Sequence, residues 1–256
     1  MNRTLLSLSA ASFLLPALSG QTDVARASFG VTTHAGVVHG LGPDYSARFD
    51  PDGITFTPLL GARVAVPAAL RFTLASVRRG SGDVFTRTRD VAPAIVGDDV
   101  RYVHDANVVE TYAVRREGIE QSFVFAQRPE GSGDLVVRGE IATALPLVAA
   151  NPEGARFELA GAGGVTFGSV VGVDANGARA SGSLRCDGRQ LELSLPASFV
   201  DAAAYPLVLD PLIGSSFVVG NVAGGSDVLP CVAYDETTRR YLVVWHAGVS
   251  ASVAEV

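Results

Sequence analysis

Lysine is missing from this chain: all 20 basic side chains are arginine, set against 26 acidic ones, for a formal net charge of −6. The arginines are scattered and adjoin only in pairs such as Arg78-Arg79, Arg115-Arg116 and Arg239-Arg240. No continuous basic stripe is there to track phosphates, so nucleic acid is not an expected partner. The lack of lysine itself fits a coding sequence rich in G and C. Cysteine is nearly absent too. Cys186 and Cys231, with four dispersed histidines, give no zinc spacing. An oxidising compartment would allow the two thiols to bridge, but they are expected to stay unpaired, because spacing alone does not bring their Cα atoms within bridging distance.

Several reaction signatures are also absent. The pattern Gly-x-Ser-x-Gly does not occur; Gly80-Ser81-Gly82 and Gly131-Ser132-Gly133 come nearest and read as loop punctuation without the strand and helix of a nucleophile elbow. Asp50-Pro51-Asp52-Gly53 and Asp98-Asp99 lack the longer acidic spacing of a calcium loop and read as turns. Gly161-Ala162-Gly163-Gly164 precedes a strand pattern, not a helix, so no phosphate cradle is expected. No cofactor, metal or catalytic residue is assigned from the sequence.

One apolar run stands out, at the N-terminus. Arg3 supplies a positive start, Leu5 to Leu18 a mostly apolar stretch, and Ala17-Leu18-Ser19 a small-x-small cleavage pattern. A signal peptide over residues 1–20 is expected, giving a secreted, surface or periplasmic protein. The alternative, an uncleaved anchor, is disfavoured because the run contains Pro16 and falls short of the roughly 20 residues that span a bilayer. No later stretch is long and apolar enough, so no membrane span is expected in the mature chain.

What fills residues 21–213 is short alternating segments punctuated by Gly, Asp, Asn and Pro, the pattern of an all-β, antiparallel β-sandwich with a sizeable core. Ile119, Gln121, Phe123 and Phe125 alternate with Glu120, Ser122 and Val124; Leu191, Leu193 and Leu195 alternate with Gln190, Glu192 and Ser194. Such alternation suits a sheet buried on one side. Asp52-Gly53, Glu117-Gly118, Asn176-Gly177 and Asp187-Gly188 supply the tight turns. Phe167–Val173, Ala178–Leu184 and Gln190–Leu195 are then expected to form a three-strand meander ended by Pro196. Pro67–Leu70 and Ala197–Ala204 each suit a helical turn. A loop at residues 128–134 is expected to mark a seam between two sub-sheets or subdomains, and Gly and Ser crowd again between Gly214 and Asp227.

Among candidate chemistries, Glu110, Glu117 and Glu120 form the densest carboxylate group, the hardware of glycoside hydrolysis if Glu110 and Glu120 meet across a hairpin. The simpler reading is that they are solvated strand and turn positions beside Arg115 and Arg116. His34 and His39, read along one strand, fall on opposite faces and so not at one metal. A Ser-His-Asp triad built on His34, His39 or His104 has no local motif behind it. Trp245, the only tryptophan, ends an apolar strand and is read as core.

Tyr102 to Phe125, Val173-Asp174-Ala175-Asn176-Gly177-Ala178-Arg179 and Tyr205-Pro206-Leu207-Val208-Leu209-Asp210-Pro211 together resemble the N-terminal β-domain of large exported bacterial proteins of the myxobacterial and planctomycete type. The resemblance covers roughly Pro93 to Pro211 and supplies no catalytic residues. It implies a domain that precedes FG-GAP-like, Kelch-like or other propeller-type repeats. Leu229 to Trp245 looks like the first hairpin of such a repeat, with Pro230–Tyr234 going out and Tyr241–Trp245 returning, so residues 214–256 are read as a linker and an incomplete repeat. The expected function is a non-enzymatic exported structural or interaction module of a larger or truncated protein. The alternatives are a module binding an extracellular glycan or protein, and a glycoside hydrolase using Glu110 and Glu120.

Overall fold

Short strands connected by glycine-bearing turns build two antiparallel sheets face to face in a computed structural model, which describes residues 30–60, 68–217, 226–235 and 240–248. The expected signal peptide lies outside the described residues.

The chain enters the first sheet through six strands: β1 (Gly30–His34), β2 (Val37–Leu41), β3 (Tyr45–Asp50), β4 (Gly53–Pro58), the long β5 (Leu70–Arg79) and β6 (Gly82–Thr86). It then crosses to the second sheet for β7 (Ala94–Val96), β8 (Asp99–Val103), β9 (Val108–Val114) and β10 (Gly118–Phe125). The loop at 128–134 leads back to the first sheet as β11 (Leu135–Thr143), so this loop is one of the places where the chain changes layers. Five strands of the second sheet follow: β12 (Leu147–Asn151), β13 (Gly154–Leu159), β14 (Gly163–Phe167), β15 (Val171–Val173) and β16 (Arg179–Ser181). After them β17 (Ser183–Cys186) and β18 (Gln190–Leu195) return to the first sheet, the short helix α1 (Ala197–Ala202) follows, and β19 (Leu207–Asp210) and β20 (Leu212–Phe217) complete the second. A separate hairpin pairs β21 (Ser226–Asp235) with β22 (Arg240–Gly248). This is an all-β antiparallel sandwich, as the alternation predicted.

One hydrophobic cluster joins the inner faces of both sheets, from Phe49, Phe56 and Phe72 on one side to Phe123, Phe125 and Phe157 on the other. Each such fully buried side chain contributes roughly 1.5–3 kcal/mol relative to an exposed one. The predicted parity of β10 and β18 holds: Ile119, Gln121, Phe123, Phe125, Leu191, Leu193 and Leu195 all point inward. Two buried tyrosines tie the layers together. The Tyr45 hydroxyl lies 2.5 Å from the Arg115 carbonyl and 2.7 Å from that of Gly118, at the β9–β10 turn. In return, Tyr102 on the second sheet donates to the Asp50 carbonyl at 2.9 Å, in the β3–β4 turn.

The second sheet forks. β10 pairs along one edge with β9 and along the other with the ribbon β19–β20, through Phe123↔Leu209 and Ile119↔Ile213. Beyond Pro211 that ribbon changes partners, so β19 pairs with β15 whereas β20 pairs with β14. The strand runs through Phe217, four residues past the boundary expected at 213. Ser215 and Ser216 hold it there, donating to Asp44 Oδ2 at 2.6 Å and Glu158 Oε1 at 3.1 Å.

The structure corrects the expected meander. Phe167 belongs to β14, and the hairpin across Asn176-Gly177 joins only β15 and β16. At Gly182 the chain leaves that sheet, and β17 pairs with β18 across Asp187-Gly188 in the other layer. The crossing needs glycine: a Cβ there would lie 2.6 Å from Val170 Cγ1 and would collide with the Ser194 carbonyl. α1 fills most of the helical turn expected at 197–204. Leu70, assigned with Pro67 to a turn, instead starts β5 because its side chain is buried in the core; Pro67 lies outside the described residues.

Arg79 is the one arginine of the described residues that is fully buried. It donates to the Pro129 carbonyl at 2.6 Å and to Asp201 on α1, pinning the helix and the layer-changing loop to the end of β5. The two Gly-Ser-Gly loops meet at the same place, where Gly80 N–H donates to the Asp134 carbonyl at 3.0 Å. Both segments are thus structural turns packed on each other.

Candidate functional site

The alternation that buries aromatic side chains on β8, β9 and β10 also buries a carboxylate. Val108, Glu110 and Tyr112 share one parity and face inward; across the ladder Glu110 opposes Tyr102 on β8 and Phe123 on β10, and Tyr112 opposes Gln121. Glu110 Oε2 lies 2.9 Å from His104 Nε2, while Oε1 accepts from Gln121 Nε2 at 3.0 Å and from the Tyr112 hydroxyl. Gln121 Nε2 is also 3.0 Å from the Tyr112 oxygen. The His104 ring sits 5.1 Å from the Phe85 ring and stacks on Tyr102 at 6.3 Å. Burial drives the Tyr112 hydroxyl well above the usual phenol range, and the neighbouring Glu110 charge adds to it, so Tyr112 stays a neutral donor.

These are the residue types of a proton relay, sealed in the core. Glu110 is 2% exposed, Gln121 not at all and His104 9%. His104 Nδ1 and Gln121 Oε1 have no partner. The reading of Glu110 as a solvated position is therefore wrong: it accepts three hydrogen bonds in the core. Pairing with Glu120 is excluded by parity. Glu120 opposes Ala113, points to the outer face and bonds Arg115, whose Nη2 lies 3.0 Å away. Glu117 is exposed in the turn between them. The two carboxylates proposed for a glycosidase thus lie on opposite faces of one sheet.

A second carboxylate, one the sequence did not flag, does lie beside Glu120. Asp210 sits at the fork on the outer face, and a hollow of about 270 Å³ there is lined by Arg115, Glu117, Glu120, Ser169, Val171 and Asp210. Desolvation, reinforced by Glu120, raises the Asp210 pKa from 3.8 to about 6, and Asp210 Oδ1 is buried without a partner. The hollow is open and shallow, and Asp210 is held off water by its neighbours. Because its folded pKa is the higher one, the native state binds the extra proton between about pH 4 and 6. This contribution is complete at low pH and is lost as pH rises through 6. Asp210→Asn is accordingly expected to gain about 1 kcal/mol over wild type at pH 7.5, after allowance for the group's partial exposure, and nothing at pH 4. Paired urea titrations at the two pH values check this, and equal differences at both would refute it.

The remaining candidates are dispersed. His34 on β1 and His39 on β2 lie on one face of a hairpin, not on opposite faces, because the turn at Ala35-Gly36 reverses the chain and sets His39 against Thr32, which shares the parity of His34. Asp50-Pro51-Asp52-Gly53 is the β3–β4 turn, with Arg48 Nε 2.8 Å from Asp50 and Arg71 bonded to Asp52. Asp98-Asp99 closes the β7–β8 turn and Gly161 to Gly164 the β13–β14 turn. Cys186 and Cys231 carry free thiols. Among the described residues no group of three or more His, Cys, Asp or Glu is arranged to hold a metal ion, and no helix is long and apolar enough to cross a membrane. The C-terminal hairpin pairs Tyr234 with Tyr241 as expected, while the Trp245 side chain lies outside the described residues. No family model matches the chain, and no curated protein or solved structure shows significant similarity to it.

Proposed function

We propose that this chain is a non-enzymatic structural or interaction module, exported through its N-terminal signal and forming the N-terminal part of a larger or truncated surface or secreted protein. The observation that carries the reading is the placement of the proton-relay side chains. His104, Glu110, Tyr112 and Gln121 are committed to one another inside the sandwich, while apolar side chains such as Val103, Val232 and Val244 remain exposed. Exposed apolar positions on strands and hairpins suit docking to another surface. The resemblance over Pro93 to Pro211 supports the same reading, since it implies a domain that precedes repeats and brings no active site.

Two measurements test it. The intact mass of protein recovered from culture medium should correspond to a start near Gly20 or Gln21; recovery solely from the cytoplasm with Met1 in place would overturn export. A glycosidase and esterase panel should show no turnover. Turnover abolished by Glu120→Gln would replace the module with an enzyme working at the Glu120–Asp210 hollow.

A further inference from the structure

The outer face of the second sheet carries valines in unbroken cross-strand register. Val103 on β8 opposes Val109 on β9, which opposes Val124 on β10, then Val208 on β19 and Val173 on β15. A sheet with one face on the core normally turns polar side chains to water on the other. Here Val103 is 57% exposed, Leu212 on the same face is 38% exposed, and the rest of the row is half-buried.

The next row along the strands is polar, and its charges are placed with opposite signs. Arg101 on β8 leads it, opposing Thr111, which opposes Ser122. Asp210 on β19 follows, one step beyond the Phe123↔Leu209 pair. Arg101 Nε and Asp210 Oδ1 are both buried atoms without a partner, and the nearest carboxylate to Arg101 is Asp99, at 3.9 Å. One face therefore holds a valine stripe flanked by an under-paired cation on β8 and an under-paired acid three strands away.

We propose that this face is a self-association surface on which a second copy of the chain packs about a two-fold axis. The axis runs parallel to the strands, between β9 and β10. Rotation about it sets β8 of one copy over β19 of the other and β9 over β10. Val103 then meets Val208, Val109 meets Val124, and Arg101 meets Asp210, each contact occurring twice, as a two-fold interface requires. The aligned packing of two sheets about 10 Å apart accommodates such an arrangement. Four strands give a face about 20 Å wide, at the small end of stable interfaces, so the dimer dissociates in the micromolar range. The inference deepens the interaction-module reading by naming a partner, and rests on it.

Sedimentation equilibrium of the mature full-length chain, run through the micromolar range, tests the proposal. The mass should rise from monomer to dimer and stop there. Arg101→Glu and Asp210→Arg should each weaken the dimer about tenfold or more, and the double variant should recover to near wild type, because the swapped charges again face each other. Val103→Lys, at an exposed position where folding is not at stake, should weaken it as well. A monomer at every concentration overturns the proposal, as does a dimer indifferent to all these variants or a mass that climbs beyond two. These outcomes leave the module reading standing, since that reading fails on turnover or on retention in the cytoplasm, neither of which sedimentation measures.

Discussion

Glu110→Ala should cost the protein about 3–5 kcal/mol of folding stability, a large fraction of the roughly 5–15 kcal/mol that holds a domain together. The loss comes from what is left behind. His104 Nε2, the Tyr112 hydroxyl and Gln121 Nε2 all direct hydrogen-bonding atoms at that carboxylate, and with it gone they face a cavity between two sheets. The melting temperature should fall by about 6–20 °C, at roughly 2–4 °C per kcal/mol for a chain of this size. Glu110→Gln fills the same volume and keeps one acceptor oxygen but brings an amide donor against other donors, so an intermediate loss of about 1–3 kcal/mol is expected. Urea unfolding followed by circular dichroism measures both. A loss below about 1 kcal/mol for the alanine variant would mean that the cluster is incidental to the core.

The second large effect is expected at Gly164. Its backbone opposes Glu158 on β13 and Ser216 on β20, in the middle of one branch of the fork. An added Cβ would overlap the Phe157 carbonyl oxygen and lie 2.8 Å from Glu158 Cα. These are main-chain atoms inside a ladder, which cannot swing aside as a side-chain tip does, so Gly164→Ala should lose about 3 kcal/mol or more. Gly168 is the control. The nearest atom to a Cβ there is the Leu212 oxygen at 3.6 Å, an ordinary contact, and Gly168→Ala should stay within about 0.5 kcal/mol of wild type. Equal losses at the two positions would remove the steric argument.

The layer architecture was legible because parity is a local signal. Phe123 and Phe125 share a face whatever pairs with them, and Glu117-Gly118 or Asp187-Gly188 turns the chain whichever sheet it belongs to. Sheet membership is not local. Ala180 and Leu184 read as one continuing ribbon, yet a glycine between them lets the chain step from one layer to the other, and nothing in the alternation records the step. The buried cluster was half visible. Gln121 was already in phase with Ile119, Phe123 and Phe125, and Glu110 is in phase with Val108 and Tyr112. A polar residue that keeps apolar phase is the sign of an interior hydrogen-bonding group, whereas judging Glu110 by its neighbours in sequence placed it beside Arg115 and Arg116 instead. Asp210 and Glu120 are ninety residues apart in sequence and meet only through the fork, so no spacing rule finds them.

That the ribbon Leu207–Phe217 occupies the middle of its sheet has a bearing on how the polypeptide is made. At translation speeds of about 5–20 residues per second, β10, β14 and β15 emerge seconds before the segment that must lie between them. During that interval the nascent chain presents three unsatisfied edges rich in valine and phenylalanine, the kind that recruit stray strands. A message ending ahead of Leu207 would yield insoluble material, because those edges would have no strand to close them.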